Sequence, residues 1–203
     1  MKDSINKRVA GIILAGGESR RFGSPKAFAD YSGRKFFEYA IDSMRNITNE
    51  IVIVSHETLS GRFKQATSHP VTQDLTQYKG NGPLAGIVTG MCYYQSEWYI
   101  VLPCDTPLVT EELVKSLLEH TEAGIDAVVP VVDGKIQPLI ALYHARVIDR
   151  AKRLLTQNNY KMMSLLEGIN TKYITENNLQ VSAAIFQNIN SHDDYDKLNK
   201  LTE

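Results

Sequence analysis

Residues 9 to 28 read VAGIILAGGESRRFGSPKAF. An apolar run ends on Gly16-Gly17, and Arg20, Arg21 and Lys26 follow within ten residues of the first glycine. Glycine has no Cβ, so such a turn can bend sharply and let a ligand approach the backbone. Amides left unbonded in it suit phosphate oxygens. Lysine adds a compact charge and arginine a planar fork. Gly23 and Pro25 confine the loop, and a lysine directly after a proline is expected to project from a rigid loop rather than sit inside a helix. The chemistry these residues point to is the binding of a nucleotide triphosphate. Alone, the two glycines would equally serve a plain strand-to-loop turn, and at least one arginine a solvated surface. There is no G-x-x-x-x-G-K-S/T and no G-x-G-x-x-G, so neither a Walker loop nor a dinucleotide fingerprint is present.

The elements that must position these residues alternate in type. Short, continuously apolar runs at 8 to 15, 50 to 55 and 97 to 105, with IDAVVPVV, PLIALYH (138 to 144), HPVTQD and AAIFQNIN (183 to 190), read as strands. GRKFFEYAIDSMRN, SGRFKQAT, LAGIVTGMCYYQ, TEELVKSLLEH, HARVIDRAKRLL, KMMSLLEG and the closing HDDYDKLNKL read as helices, with Thr110 a good N-cap. Strands apolar throughout, interleaved with helices, predict an α/β fold: a Rossmann-like three-layer sandwich with a mainly parallel sheet covered on both faces. Ligands of such sheets sit beyond the carboxyl ends of the strands. There this sequence places Gly16-Gly17, Asp74, Cys104-Asp105-Thr106-Pro107 and Asn188-Ile189-Asn190.

Composition narrows the classes. The 203 residues are 43% hydrophobic with a formal net charge of −1. That suits an ordinary globular core and gives no global field toward nucleic acid or an acidic membrane. No apolar run approaches the ~20 residues of a spanning helix, and the basic N-terminus is not read as a signal peptide. Cys92 and Cys104 are isolated and expected to be buried free thiols of a cytoplasmic protein. The chain is expected to form one domain.

LAGGESRRFGSPKAF resembles the L-A-G-G-x-S-x-R-F/M-G-x-x-K signature of nucleotidyltransferases built on a Rossmann-like sheet, and within them most resembles the molybdenum cofactor guanylyltransferases. Further segments in the family's order extend the resemblance from residue 8 to about 200: Asp74 after HPVTQ, GNGPLAGIVTG, CDTP, QPLIALYH and FQNINSHDDY. The resemblance implies transfer of GMP from GTP to the molybdopterin-bound molybdenum cofactor, releasing pyrophosphate, with Mg²⁺ neutralising charge on the phosphates. It implies that Leu14, Ala15, Gly16, Gly17, Lys26, Asp74, Gly82, Asp105 and Asn190 line the nucleotide, that Lys26, Arg20 and Asp105 carry the catalysis, and that Asp105 holds the metal, with Asp74 or Asn190 as possible helpers. Other proteins of molybdenum cofactor biosynthesis are the expected partners. The nucleotide-binding part is expected over about 8–135 and the acceptor part over about 136–203.

Two departures stand out. Gln137 occupies the place of the family's histidine in H-P-x-x-A-L, and Val54-Ser55-His56 stands where an N-x-N is common, His56 reading more readily as a surface histidine. The competing readings are a cytidylyl transferase, acting on molybdopterin or a small sugar or polyol phosphate, and a catalytically silent nucleotide-binding adaptor. Retention of both Lys26 and Asp105 argues against the silent protein.

Overall fold

The computed structural model describes residues 7–17, 25–179, 181–187, 189 and 194. In chain order the elements are β1 (Val9–Ala15), β2 (Asp30–Tyr31), β3 (Arg34–Lys35), α1 (Phe36–Arg45), β4 (Glu50–Ser55), α2 (Glu57–Ala66), β5 (Val71–Thr72), α3 (Gly82–Tyr93), β6 (Trp98–Pro103), α4 (Glu111–Glu119), β7 (Ala127–Val132), β8 (Lys135–Ile136), β9 (Ala141–His144), α5 (Ile148–Thr156), α6 (Met162–Leu166), β10 (Thr171–Thr175) and α7 (Glu176–Leu179). The main sheet runs β10-β7-β9-β6-β1-β4-β5, with β8 beside β7. β6, β1, β4 and β5 are mutually parallel, as are β7 and β10. β9 lies antiparallel to both of its neighbours.

The continuous apolar strands are explained by burial on both faces. Along β1, Val9, Ile13 and Ala15 pack under α1 and α4, while Ala10 and Ile12 pack under α3. The same alternation divides Ile51 and Ile53 from Val52 and Val54 in β4, and Trp98, Ile100 and Leu102 from Tyr99 and Val101 in β6. This is the expected mainly parallel three-layer arrangement.

Four local expectations are corrected. Residues 183 to 186 form a 3-10 turn rather than a strand, because the Ser182 hydroxyl accepts the Ala184 amide (3.3 Å) and starts a turn that buries Phe186. β10, rich in β-branched residues but short and at the sheet edge, was not anticipated. The helix expected from residue 33 starts at Phe36, because Ser32 and Gly33 (φ 49° and 79°) close a β2–β3 hairpin ahead of it. Cys92 is exposed rather than buried. The closing polar helix falls outside the described residues, Asp194 apart. Among the described residues no helix is long and apolar enough to cross a membrane.

α3 lies unusually close on the sheet. A Cβ on Gly90 would meet Ile12 at 2.7 Å, and one on Gly86 would meet Leu14 Cδ2 at 2.8 Å. Gly86 is therefore a packing residue toward the sheet. Gly90→Ala should lower stability by ~1–3 kcal/mol through overpacking against the fully buried Ile12, outweighing the helix-propensity gain of up to ~1 kcal/mol. Gly61→Ala on α2, with open space around the added methyl, keeps only the gain. Thermal denaturation should thus show a lowered midpoint for the first variant and an unchanged or raised one for the second.

Candidate nucleotide site

The carboxyl ends of β1 and β6 meet at one edge of the sheet. Beyond the regular β1–β6 ladder, the Cys104 amide donates to the Leu14 carbonyl (3.0 Å), which carries Asp105 alongside the end of β1. Gly16 and Gly17 are exposed there. Neither has a φ in the left-handed region, and a Cβ on either would meet nothing within 4 Å. Among the described residues nothing requires glycine at these positions. Arg20, with Arg21, lies outside the described residues, as does Asn190.

Lys26 opens a single 3-10 turn, Lys26–Phe28, after the extended Pro25. The turn is pinned at its far end. Ala27 is buried, and the Phe28 ring sits 4.6 Å from Phe63 and 5.5 Å from Phe37, with the Arg62 guanidinium 4.2 Å over its face. So held, Lys26 Nζ reaches Asp105 Oδ2 at 2.5 Å, the two side chains 14% and 17% exposed. The pairing spans 79 positions of sequence. Asp105 is fixed in turn: the buried Thr106 hydroxyl donates to the Pro103 carbonyl (3.1 Å), and the Ile189 amide donates to the Asp105 carbonyl (3.1 Å). Ile189 is buried against Tyr31 and Phe36, so this one residue docks beside Asp105.

The second cluster lies toward β4 and β5. Asp74 is half-buried, and Oδ2 accepts the Gly80 amide (3.2 Å). Burial raises its pKa above the ordinary carboxylate value, against the pull of the Gly80 amide and the His56 charge. The following residue is tied to α3, the Leu75 amide donating to the buried Thr89 hydroxyl (3.0 Å). Gly82 has φ +72° and opens α3 ahead of Pro83. Its glycine is accounted for by backbone conformation, whatever else approaches it.

His56, left aside from the sequence alone, lines a cleft of about 270 Å³ together with Gly17, Pro25, Thr58 and Leu59. It caps α2: Nδ1 accepts the Thr58 amide (3.3 Å) and lies 2.9 Å from the Thr58 hydroxyl. An Nδ1 that accepts leaves the proton of the neutral ring on Nε2. The signal that could have found His56 was its place directly after an apolar strand.

The strand order separates the two aspartates. Asp105 follows β6 and Asp74 follows β5, with β1 and β4 between those strands; Asp74 Oδ1 lies 3.9 Å from where a Cβ on Gly86 would sit, a position also 2.8 Å from Leu14 Cδ2 at the end of β1.

The MobA-like NTP transferase domain model matches residues 11–174. A Bacillus cereus protein named "Probable molybdenum cofactor guanylyltransferase" is 45% identical over 186 residues, 92% of this chain and 93% of its own length. A Bacillus mycoides protein of the same name is 44% identical over 188 residues, 93% of this chain and 94% of its own. Among solved structures, molybdopterin-guanine dinucleotide biosynthesis protein A from Archaeoglobus fulgidus aligns with a TM-score of 0.82 at 26% identity, over 95% of this chain and 98% of that one. With the family model covering most of its length and these relatives nearly all of it, the chain belongs to the MobA-like NTP transferase domain family and is a nucleotidyltransferase.

Proposed function

We propose that this chain transfers GMP from GTP to the terminal phosphate of molybdenum-loaded molybdopterin, giving the guanine dinucleotide cofactor and pyrophosphate. The observation that carries the reading is the meeting of Lys26 and Asp105 beside the Gly16-Gly17 turn. The acceptor phosphate oxygen attacks the α-phosphorus of GTP, and the bond from that phosphorus to the β-phosphate oxygen breaks. Such a displacement needs no protein nucleophile; positioning and charge neutralisation supply the catalysis. Leu14, Ala15 and the amides of Gly16 and Gly17 border the triphosphate, and Lys26 with Arg20 balances its charge. Lys26 pairs with Asp105, and the same ammonium is proposed to serve a phosphate oxygen of the nucleotide.

Asp105 fits the Mg²⁺ that accompanies a nucleotide. Its carboxylate is a hard oxygen donor at the triphosphate end, and a single carboxylate suits an ion that keeps phosphate and water ligands. When bound, the ion neutralises charge building on the leaving pyrophosphate. Asn190, next in sequence to Ile189 whose amide bonds the Asp105 carbonyl, is proposed as a further contact of that ion. On the β4–β5 side Asp74 is proposed to accept from the N1 and N2 hydrogens of guanine, an edge that cytosine lacks, while His56 offers an Nε2 hydrogen and Gly82 leaves room for the nucleoside. The whole of 1–203 then acts as one nucleotidyltransferase domain, nucleotide part about 8–135 and acceptor part about 136–203. Both cysteines are free, in keeping with a cytoplasmic enzyme served by other proteins of cofactor biosynthesis.

Thermal-shift binding with Mg²⁺ and each of GTP, CTP, ATP and UTP tests the base. GTP at one hundred times its Kd should add ~2.7 kcal/mol of apparent stability, and a preference for CTP would move the substrate to the cytidylyl branch. Asp105→Ala should stay folded and lose pyrophosphate release by at least 100-fold; full activity in that variant would sink the assignment. The Asp74 carboxylate must be ionised to accept from guanine. Because burial raises its pKa, GTP affinity should weaken on acidification at a pH above that of an ordinary carboxylate, near ~4. Asp74→Asn should bind GTP more weakly and without that pH dependence.

A further inference from the structure

The β9 side of the sheet holds a break for which the nucleotide has no use. β8 and β9 flank β7 on the same side, and the two could form one antiparallel strand. Lys135 and Ile136 pair with Val132 and Val131, and Leu142 and Tyr143 pair with Val128 and Ala127. Between these pairs, residues 137 to 141 stand opposite only Val129 and Pro130. Pro130 supplies the cause. Its carbonyl accepts the Gln137 amide (2.9 Å), so its own nitrogen faces the same strand and has no hydrogen to donate. A ladder that cannot continue there expels the surplus as a bulge, a device that re-aims side chains beside active sites.

The bulge is pinned from inside. The Ile140 amide closes it onto the Gln137 carbonyl (3.2 Å), and Ile140 is buried in the core. The Tyr143 ring is 0% exposed, and its hydroxyl donates to the Pro138 carbonyl (2.6 Å). Tyr143 is thus a buried phenol whose polar atom serves the turn. The register pairing Val101 with Ala141 sets this turn beside Leu102 and Pro103, which lead into Cys104-Asp105. It lies across Asp105 from the β1–β4 ends. In an in-line displacement the attacking and leaving oxygens sit on opposite sides of the phosphorus, so an acceptor must enter from a side the triphosphate does not occupy.

We propose that the Gln137–Ile140 turn is a wall of the acceptor site for a phosphomonoester, and that Tyr143 is its positioning residue. This rests on the nucleotidyl-transfer reading. Tyr99 is the control. It pairs directly with Tyr143 across β6 and β9, and its own buried hydroxyl bonds the Tyr94 carbonyl (2.8 Å) after α3, away from the carboxyl ends.

The full chain is assayed with GTP, Mg²⁺ and molybdenum-loaded molybdopterin, alongside amide hydrogen exchange. Tyr143→Phe should raise the acceptor KM at least five-fold, leave kcat and GTP affinity within two-fold, and speed exchange at the Gln137 and Ile140 amides. Tyr99→Phe should leave the acceptor KM unchanged. Should Tyr143→Phe fold poorly, Pro138→Gly loosens the same turn from its surface and should give the same split. An acceptor KM unmoved in both turn variants, or raised equally by Tyr99→Phe, overturns the proposal. Wild-type chain that binds GTP yet transfers nothing to molybdopterin refutes the function first, before any variant is compared, and this proposal with it.

Discussion

Two opposite charges, Asp105 just past β6 and Lys26 in the 3-10 turn that follows β1, govern this molecule. Lys26 and Asp105 are mostly withdrawn from solvent, and each charge would cost several kcal/mol to bury alone. The pair therefore forms only if the parts that deliver its members are already in register. β1 and β6 are hydrogen-bonded neighbours, so the distance between their ends is set by the ladder rather than by loops. The Lys26 turn depends on an aromatic cluster drawn from α1 and α2. The opposite edge of Asp105 is closed by Ile189, which arrives from the far end of the chain. Core, helix layer and Ile189 all converge on one ion pair.

Close packing elsewhere serves the same edge. Gly86 and Gly90 let α3 settle onto Leu14 and Ile12, so the start of that helix is brought near the end of β1 and the Asp74 loop. Here the glycines act by contact with the sheet, whereas Gly82 acts through its left-handed backbone and Gly16 with Gly17 through the space they leave. Three physical reasons for one residue type lie within a single motif set, and only a three-dimensional structure separates them.

Much of the fold was legible because double burial leaves a direct mark. β1, β4, β6 and β7 read as strands since both of their faces meet helices, and α1 and α4 read as helices since only one face does. Pairing that involves a single face or very few residues left weaker marks. β10 escaped notice with one buried position, Ile174, and the 183 to 186 segment misled because its apolar residues pack from a 3-10 turn. At the site, Lys26 and Asp105 were legible from residue type and strand position. Their mutual pairing was not, because a contact across 79 residues is a property of strand order. For His56 the cap is local, but its cleft is completed by Gly17 and Pro25, which are distant in sequence.

The strand order also gives the two substrates different kinds of wall. On the β1–β4–β5 side every strand leaves the sheet at the site edge, so loops there start from carboxyl ends and run into helix starts, an arrangement suited to phosphate and base. β9 is antiparallel and enters the sheet at that same edge. The chain before it, from the Asp133-Gly134 hairpin turn through Gln137–Ile140, must therefore reach the site edge before turning back. A fold made wholly of parallel strands would have placed a crossover helix on this side. Reversing one strand puts a short, internally bonded turn there, opposite Pro130, whose nitrogen has no hydrogen to give the ladder. Asymmetry between a helix-walled nucleotide half and a turn-walled half follows from that reversal. On the proposed reading, one sheet edge would then hold two unlike molecules on either side of a single carboxylate.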